Sequence, residues 1–168
     1  MSWQALTTDD EIAAFLGLVC DFHDGCVREA HVMSSTFVDA ANRAMTSDGR
    51  ELTCRLLLQM QRGPAFCPSG PDAVELLFEQ VVGFHFAGIP LGYAATIMGA
   101  TIVRRGDVYY WCEHDDFEVT ASMPNRWETG PAGLAEGPFM WIGAHRLSWR
   151  RVDGWLGDTP RYGPREPA

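Results

Sequence analysis

At 168 residues and a formal net charge of -9, the chain is an acidic polypeptide of a length that favours one core and one domain. This charge disfavours attraction to a phosphate backbone, so nucleic acids are excluded as expected partners. All 13 basic residues are Arg, and the absence of Lys excludes a P-loop lysine, a Schiff base and a Ser-Lys dyad.

The N-terminal sequence and the distribution of apolar residues bear on location. No segment approaches the ~20 consecutive apolar residues of a membrane-spanning helix, and the first residues lack the basic region of a secretory signal. We therefore expect a soluble, cytoplasmic protein without membrane contact. The five cysteines are scattered and form no C-x-x-C pair, so we expect reduced thiols rather than a disulfide framework or a zinc site.

The first element in chain order is a helix. Thr8 and Glu11 fit a capping box, and apolar residues at helical spacing follow, which predicts an amphipathic helix over residues 9–20. Asp24 and Gly25 readily adopt positive φ, so the helix is expected to end before them and the chain to reverse there.

Alternating or strongly apolar segments predict the strands that follow. The first strand comes directly after the reversal, at residues 26–32. Residues 37–45 suit either a short helix or a meandering connection, and the turn Gly106-Asp107 indicates a hairpin. The remaining strands are predicted over residues 52–61, 73–86 (one strand or two), 97–104, 108–113 and 139–151.

These elements define a fold class and a domain division. In the last strand, Trp141, His145, Leu147 and Trp149 share one face by period-two counting. The two tryptophans predict that this face is turned to the core. One helix and six or seven strands predict an α+β fold, in which an N-terminal amphipathic helix precedes a mainly antiparallel sheet. Residues 1–152 are expected to form a single globular domain. Residues 153–168, which contain Gly, Pro and Arg, are expected to form a tail that is either extended or partly disordered.

Five short motifs follow one another within residues 20–151. They read FHDGCVRE at residues 22–29, LLLQMQR at 56–62, VELLFE at 74–79, YWC at 110–112 and LSWR at 147–150. With these motifs the chain resembles a family of small uncharacterised bacterial proteins with an F-H-D-[SG]-C signature near the N-terminus, in which Ser is more usual than Gly25. The resemblance supports the fold. Because the family has no established activity, it implies neither catalytic residues nor a cofactor.

The adjacent pair His23 and Asp24 is the first candidate site. An imidazole that titrates near neutrality lies beside a carboxylate that could orient it or bind a cation. The structural alternative is that Asp24 hydrogen-bonds the turn backbone while His23 packs at the junction. We favour this alternative, because adjacent residues seldom direct their side chains into one site.

The acidic segment around His114 is the second candidate site. His114, Asp115 and Asp116 offer an imidazole and hard oxygen ligands for a divalent cation, but their spacing is that of neither an EF-hand nor a zincin. A solvated loop is the favoured interpretation. If two strand ends are neighbours, His23 and Asp24 could meet His114 and Asp115. These four residues are the catalytic candidates, and with Asp116 they are the metal-ligand candidates.

The arginines of the predicted strands are a third group of interest. Six of them could present guanidinium groups to a carboxylate or phosphate ligand: Arg28, Arg55, Arg62, Arg104, Arg146 and Arg150. The favoured alternative is cross-strand pairing with the glutamates Glu29, Glu75 and Glu79. No G-x-S-x-G elbow, G-x-G-x-x-G loop or Walker motif is present.

The sequence contains no complete catalytic constellation, and this favours a binding role over an enzymatic one. We predict a non-enzymatic protein-interaction module with a protein partner, in particular a basic one. A bacterial immunity protein that neutralises a basic toxin is one concrete form. Two alternatives stay open: a metal-assisted hydrolase that uses the His23/Asp24 region, and a small-ligand-binding protein lined by Trp111, Trp141 and Trp149.

Overall fold

In the computed structural model, the described residues form one helix packed on a seven-stranded antiparallel sheet. The structure describes residues 2–41, 43–61, 69–86, 96–114 and 140–162. Strands account for 57% of the described residues and helix for 12%. The N-terminal helix and the antiparallel sheet are therefore confirmed, whereas the α+β label fits only loosely. The elements are β1 (Gln4–Ala5), α1 (Asp9–Leu18), β2 (Gly25–Val38), β3 (Met45–Met60), β4 (Ala73–Phe86), β5 (Thr101–Arg105), β6 (Val108–Cys112) and β7 (Met140–Val152).

The sheet order places β4 and β7 at the centre. The strands follow the order β2-β3-β4-β7-β6-β5, and every neighbouring pair is antiparallel. The short β1 pairs with β7 along a different stretch from β6. Two strands, β2 and β5, therefore stand at the edges of the described sheet.

Helix α1 begins at a capping box. The Glu11 amide donates to Thr8 Oγ1 (3.2 Å), and Glu11 Oε2 accepts from the amides of Thr8 (3.0 Å) and Thr7 (2.8 Å). The predicted cap is confirmed. The regular helix ends at Leu18, before the predicted end at residue 20, and a 3-10 turn follows at Cys20–Phe22. Within the described ranges, no helix has the length and apolar character needed to cross a membrane.

The apolar core lies between α1 and one face of the sheet. Phe15 of the helix contacts Trp149 of β7 with ring centroids 4.7 Å apart, and Phe22 meets Trp111 of β6 edge to face at 6.4 Å. Trp111 and Phe22 are fully buried. Trp111 and Trp149 are members of the packed core cluster, whereas Trp141 lies outside it. A ligand pocket lined by all three tryptophans stays a prediction.

β2 and β3 form one long hairpin. Their pairing extends to Val38↔Met45, so the short-helix alternative for residues 37–45 is wrong. The Thr, Phe and Val side chains before the turn suit a strand, and pairing satisfies the backbone hydrogen-bonding groups of both strands. The two strands consequently exceed the predicted ranges 26–32 and 52–61.

The hairpin around Gly106-Asp107 is confirmed. β5 and β6 pair outward from Arg105↔Val108, and Gly106 has a φ of 63°, a left-handed conformation that glycine adopts without strain. The predicted strand over residues 97–104 starts too early, because β5 begins only at residue 101.

The predicted alternation of β7 is interrupted. Leu147 and Trp149 belong to the core cluster, and so does Ala144, three positions from Leu147 rather than two or four. The neighbouring β4 contains Gln80 with a φ of 55° beside this interruption. Trp141 and Trp149 consequently lie on different faces, contrary to the prediction, because period-two counting does not register a left-handed residue in the partner strand.

The reversal between α1 and β2 depends on a close approach of two backbones. Asp24 has a φ of 58°, and Gly25 is not among the residues with positive φ. A Cβ at Gly25 would lie 2.8 Å from the Phe22 carbonyl oxygen and 3.2 Å from the Gln59 carbonyl oxygen. Glycine is thus required at position 25 for space, while Asp24 supplies the left-handed turn.

We expect Gly25→Ser to lower the free energy of unfolding by about 1–3 kcal/mol, because the added Cβ would overlap backbone oxygens that are held in place. Serine is the informative replacement, because the F-H-D-[SG]-C signature predicts it here more often than glycine. Urea unfolding followed by tryptophan fluorescence measures the change.

Gly17→Ala is the matched control. Nothing lies within 4 Å of the Cβ added at Gly17, so this variant should be neutral or more stable by up to about 1 kcal/mol. An equal loss of stability in both variants would contradict the close-approach explanation.

Candidate functional site

His23 and Asp24 contact each other at the reversal. His23 Nδ1 lies 3.2 Å from Asp24 Oδ2, and Asp24 is the more buried of the two. The Asp24 backbone serves the fold, because its amide donates to the Ile97 carbonyl (2.9 Å) and its carbonyl accepts from the Gln61 amide (3.2 Å). The pair therefore stands on a corner that neighbouring segments hold by backbone hydrogen bonds.

The second predicted cluster lies only partly within the described residues. His114 follows β6 and is exposed, while Asp115 and Asp116 fall outside the described ranges. Across those ranges, no three His, Cys, Asp or Glu side chains are grouped closely enough to hold a metal ion. The catalytic and metal-ligand roles of His23, Asp24, His114, Asp115 and Asp116 therefore stay predictions.

One cysteine differs from the expectation of reduced thiols. Cys20 is disulfide-bonded, and Cys67 lies outside the described residues. A disulfide requires two cysteines that meet in space, which their spacing along the chain does not reveal. Cys54 on β3 is a buried thiol, and burial raises its pKa to about 12, so it is not a nucleophile at neutral pH.

A charged cluster surrounds Glu75 on the sheet face opposite the core. The Glu75 side chain is 0% exposed, and Arg150 lies directly across from it in the β4–β7 register. Arg150 Nε donates to Glu75 Oε2 (2.6 Å), and Arg55 Nη1 lies 3.8 Å from Glu75 Oε1. The predicted cross-strand pairing is confirmed for these residues. We use the name polar face for five residues: Glu29, His31, Arg55, Glu75 and Arg150.

Opposing influences act on the Arg150 guanidinium. Burial lowers the pKa of Arg150, but Glu75 and Tyr162 together raise it by more, so the net pKa lies above its ordinary value. The guanidinium carbon also lies 4.5 Å from the centroid of the Trp3 ring, a geometry that favours a cation. Arg150 is thus held as a cation between a carboxylate and an aromatic ring.

The described part of the C-terminal tail, residues 153–162, crosses the polar face. Tyr162 Oη donates to Glu75 Oε1 (2.9 Å) and accepts from Arg150 Nη2 (3.1 Å). The Tyr162 ring meets the His31 ring edge to face, with centroids 5.0 Å apart. The phenol therefore completes the hydrogen bonding of a buried carboxylate, which would otherwise be costly to bury.

Glu29 holds the backbone of the tail. Its carboxylate accepts from the amides of Arg161 and Tyr162, the latter at 3.0 Å, and His31 Nε2 lies 3.0 Å from Glu29 Oε2. Burial raises the pKa of Glu29, but the Arg161 amide, His31 and the Tyr162 amide together lower it by more, so the net pKa lies below its ordinary value. Glu29 is therefore the ionised acceptor that anchors the end of the tail.

The sequence contained a signal for part of this cluster. Glu75 interrupts the apolar motif VELLFE, and a charge in a segment that reads as a buried strand requires a partner. Tyr162 offered no comparable signal, because it lies in a tail without periodicity. Sequence reasoning thus missed Glu29, His31 and Tyr162 as members of one cluster.

A two-stranded ribbon extends beyond the main sheet. The last β3–β4 pair is Cys54↔Phe78, and β2 and β3 continue to pair with each other past this point. We call residues 33–38 and 45–53 the apolar ribbon. Its described apolar side chains with exposures between 48% and 80% are Met33, Phe37, Val38 and Met45.

Comparison with known proteins returns no relative. No family model matches the chain, and neither a curated protein nor a solved structure does. The resemblance suggested by the sequence motifs therefore rests on those motifs alone. Function has to be inferred from the polar face and the apolar ribbon.

We expect Arg150→Met to lower the free energy of unfolding by about 3 kcal/mol, because it leaves the buried Glu75 carboxylate without its main partner. The loss is placed at the low end for such a change, since Arg55 and Tyr162 still contact the carboxylate. The double variant Glu75→Met with Arg150→Met should recover most of the loss. Urea unfolding of the wild type, the single variant and the double variant measures these changes.

Arg151→Met is the control for the loss of an arginine on β7. Arg151 Nε forms an exposed ion pair with Asp153 (2.8 Å), and such pairs contribute about 0–1 kcal/mol. The explanation is contradicted if the double variant is as unstable as Arg150→Met alone.

The Glu29 contact should make tail attachment dependent on pH. Because the folded pKa of Glu29 lies below the ordinary 4.5, its contribution is fully present above that value and is lost as the pH falls through the folded pKa. We expect the stability difference between the wild type and Glu29→Gln to be constant near neutral pH and to shrink in acid. Urea unfolding from neutral pH down to about pH 3 measures it.

Glu79→Gln controls for the removal of a strand carboxylate, since Glu79 lies on β4 opposite Arg146 and not beneath the tail amides. A difference between wild type and Glu29→Gln that grows as the pH falls would reverse the expected sign.

Proposed function

We propose that the chain is a non-enzymatic protein-interaction module that binds another protein through the apolar ribbon. The observation that carries this proposal is the exposure of Phe37, Val38 and Met45 on two strands that leave the sheet. Clustered exposed apolar side chains mark interaction surfaces far more often than scattered ones do. A two-stranded ribbon is also marginally stable in isolation, so a partner would supply support that the sheet supplies elsewhere.

The backbone of β2 offers a second means of contact. β2 is an edge strand of the described sheet, and an edge strand presents N–H and C=O groups to which a partner strand can pair. Pairing through the backbone would contribute affinity, while the apolar side chains of the ribbon would contribute specificity.

The net charge distinguishes between classes of partner. At -9, two copies of the chain repel each other, whereas a basic protein is attracted and associates faster. We therefore infer a basic protein partner rather than a second copy. A bacterial immunity protein that binds a basic toxin is one concrete form of this function.

The test compares the wild type with Phe37→Ser against a purified partner. The wild-type chain captures proteins at low salt, each basic protein that it retains is purified, and affinities are measured by isothermal titration calorimetry. Phe37→Ser should weaken binding about 30-fold, since an aromatic anchor at an interface contributes on the order of 2 kcal/mol. Raising the ionic strength should weaken the wild-type complex as well.

Met98→Ser is the matched control, because Met98 is 69% exposed but lies outside the apolar ribbon. It should bind as the wild type does, and unfolding midpoints check that both variants fold. Equal binding by all three chains contradicts the proposal. So does a wild-type chain that forms dimers in sedimentation and retains no basic protein.

A further inference from the structure

The tail is held on the polar face mainly through its backbone. Arg28 donates to the Asp158 carbonyl, and Gln59 Nε2 donates to the Gly157 carbonyl (3.2 Å). At the other end, the Glu29 carboxylate accepts from two consecutive tail amides. Backbone contacts of this kind do not depend on the side chains of the bound segment.

One tail side chain is recognised specifically. The hydroxyl of Tyr162 lies between Glu75 and Arg150, and its ring lies 5.9 Å from the Arg55 guanidinium carbon. A hydroxyl can donate to the carboxylate and accept from the guanidinium through a single oxygen, and the phenol carries that hydroxyl on a ring that also reaches His31 and Arg55. The polar face therefore selects a tyrosine at this position.

The residues before Tyr162 suit the same mode of binding. Pro160 has no amide to satisfy, and the next two residues, which lie in a bend, both direct their amides to the Glu29 carboxylate. The recognised pattern is thus Pro-x-Tyr in this bent conformation. Four strands contact it: β2, β3, β4 and β7.

The tail is separate from the apolar core. None of the described tail residues belongs to the core cluster, and Leu156, its aliphatic side chain, is 56% exposed. Detachment of the tail would consequently expose polar groups and leave the packing between α1 and the sheet in place.

We propose that the polar face is a binding site for a Pro-x-Tyr segment of a partner protein, and that residues 157–162 occupy this site as an intramolecular substitute. The site is distinct from the apolar ribbon and does not depend on the function proposed for it. A tail tethered beside its own site competes at a high effective concentration, so an external segment binds weakly until the tail is displaced.

The test uses full-length chains and a fluorescein-labelled, C-terminally amidated peptide with the sequence of residues 155–162. Fluorescence anisotropy measures its affinity for the wild type and for Tyr162→Ala. The variant should bind the peptide at least about tenfold more tightly, because its own tail has lost the anchor and the competent fraction of sites rises. A peptide with Ala in place of its Tyr should bind neither chain tightly.

Arg161→Pro provides a second, independent variant. It removes one amide that Glu29 accepts and leaves every side chain of the polar face unaltered, so it should also raise the affinity for the peptide. If Tyr162→Ala fails to fold, as judged by its near-ultraviolet circular dichroism, the affinity of Arg161→Pro for the peptide tests the proposal. Leu156→Ala, a change at an exposed tail position, should keep the weak affinity of the wild type.

Three results would overturn the proposal. In the first, both tail variants bind the peptide as weakly as the wild type does. In the second, the Ala-containing peptide binds as tightly as the Tyr-containing one, which would remove the selectivity for tyrosine. Tail exchange between copies, seen as wild-type dimers in sedimentation, would identify a second copy as the occupant and would likewise contradict a partner segment.

Discussion

Burial of the Glu75 carboxylate ties together more of the chain than any other polar contact among the described residues. A buried carboxylate needs a cation and full hydrogen bonding, and here Arg150 and Tyr162 supply both. These partners come from β7 and from the tail, while Arg55 approaches from β3. One carboxylate on a central strand thereby sets where three other segments lie.

The alternation of side chains along the central strands allows two unlike surfaces to coexist. Leu76 points to the core beneath α1, and its neighbour Glu75 points to the face that the tail covers. A one-residue slip of β4 against β7 would exchange these two environments and place Glu75 in the apolar core. The register Glu75↔Arg150 is therefore fixed from both sides of the sheet.

How much of this could be predicted depended on whether the signal was local. The capping box of Thr8 and Glu11 and the turn at Gly106 are recognisable within a few residues, and both are confirmed. The face predicted for Trp141 was wrong, because the left-handed Gln80 on the neighbouring strand β4 interrupts the alternation of side chains. The place of Tyr162 could not be predicted. It lies in a tail without periodicity, and it depends on contacts with strands that are distant in sequence.

A charged cluster also explains why the tail occupies one position. Apolar side chains of similar volume could hold three strands together at comparable or greater stability, because burying an ion pair costs much of what it contributes. They could not, however, distinguish a phenol from another ring of the same size. Glu75 and Arg150 require an oxygen that both donates and accepts, and only Tyr162 among the described tail residues places one there. The cluster therefore contributes more to the choice of bound segment than to the stability of the sheet.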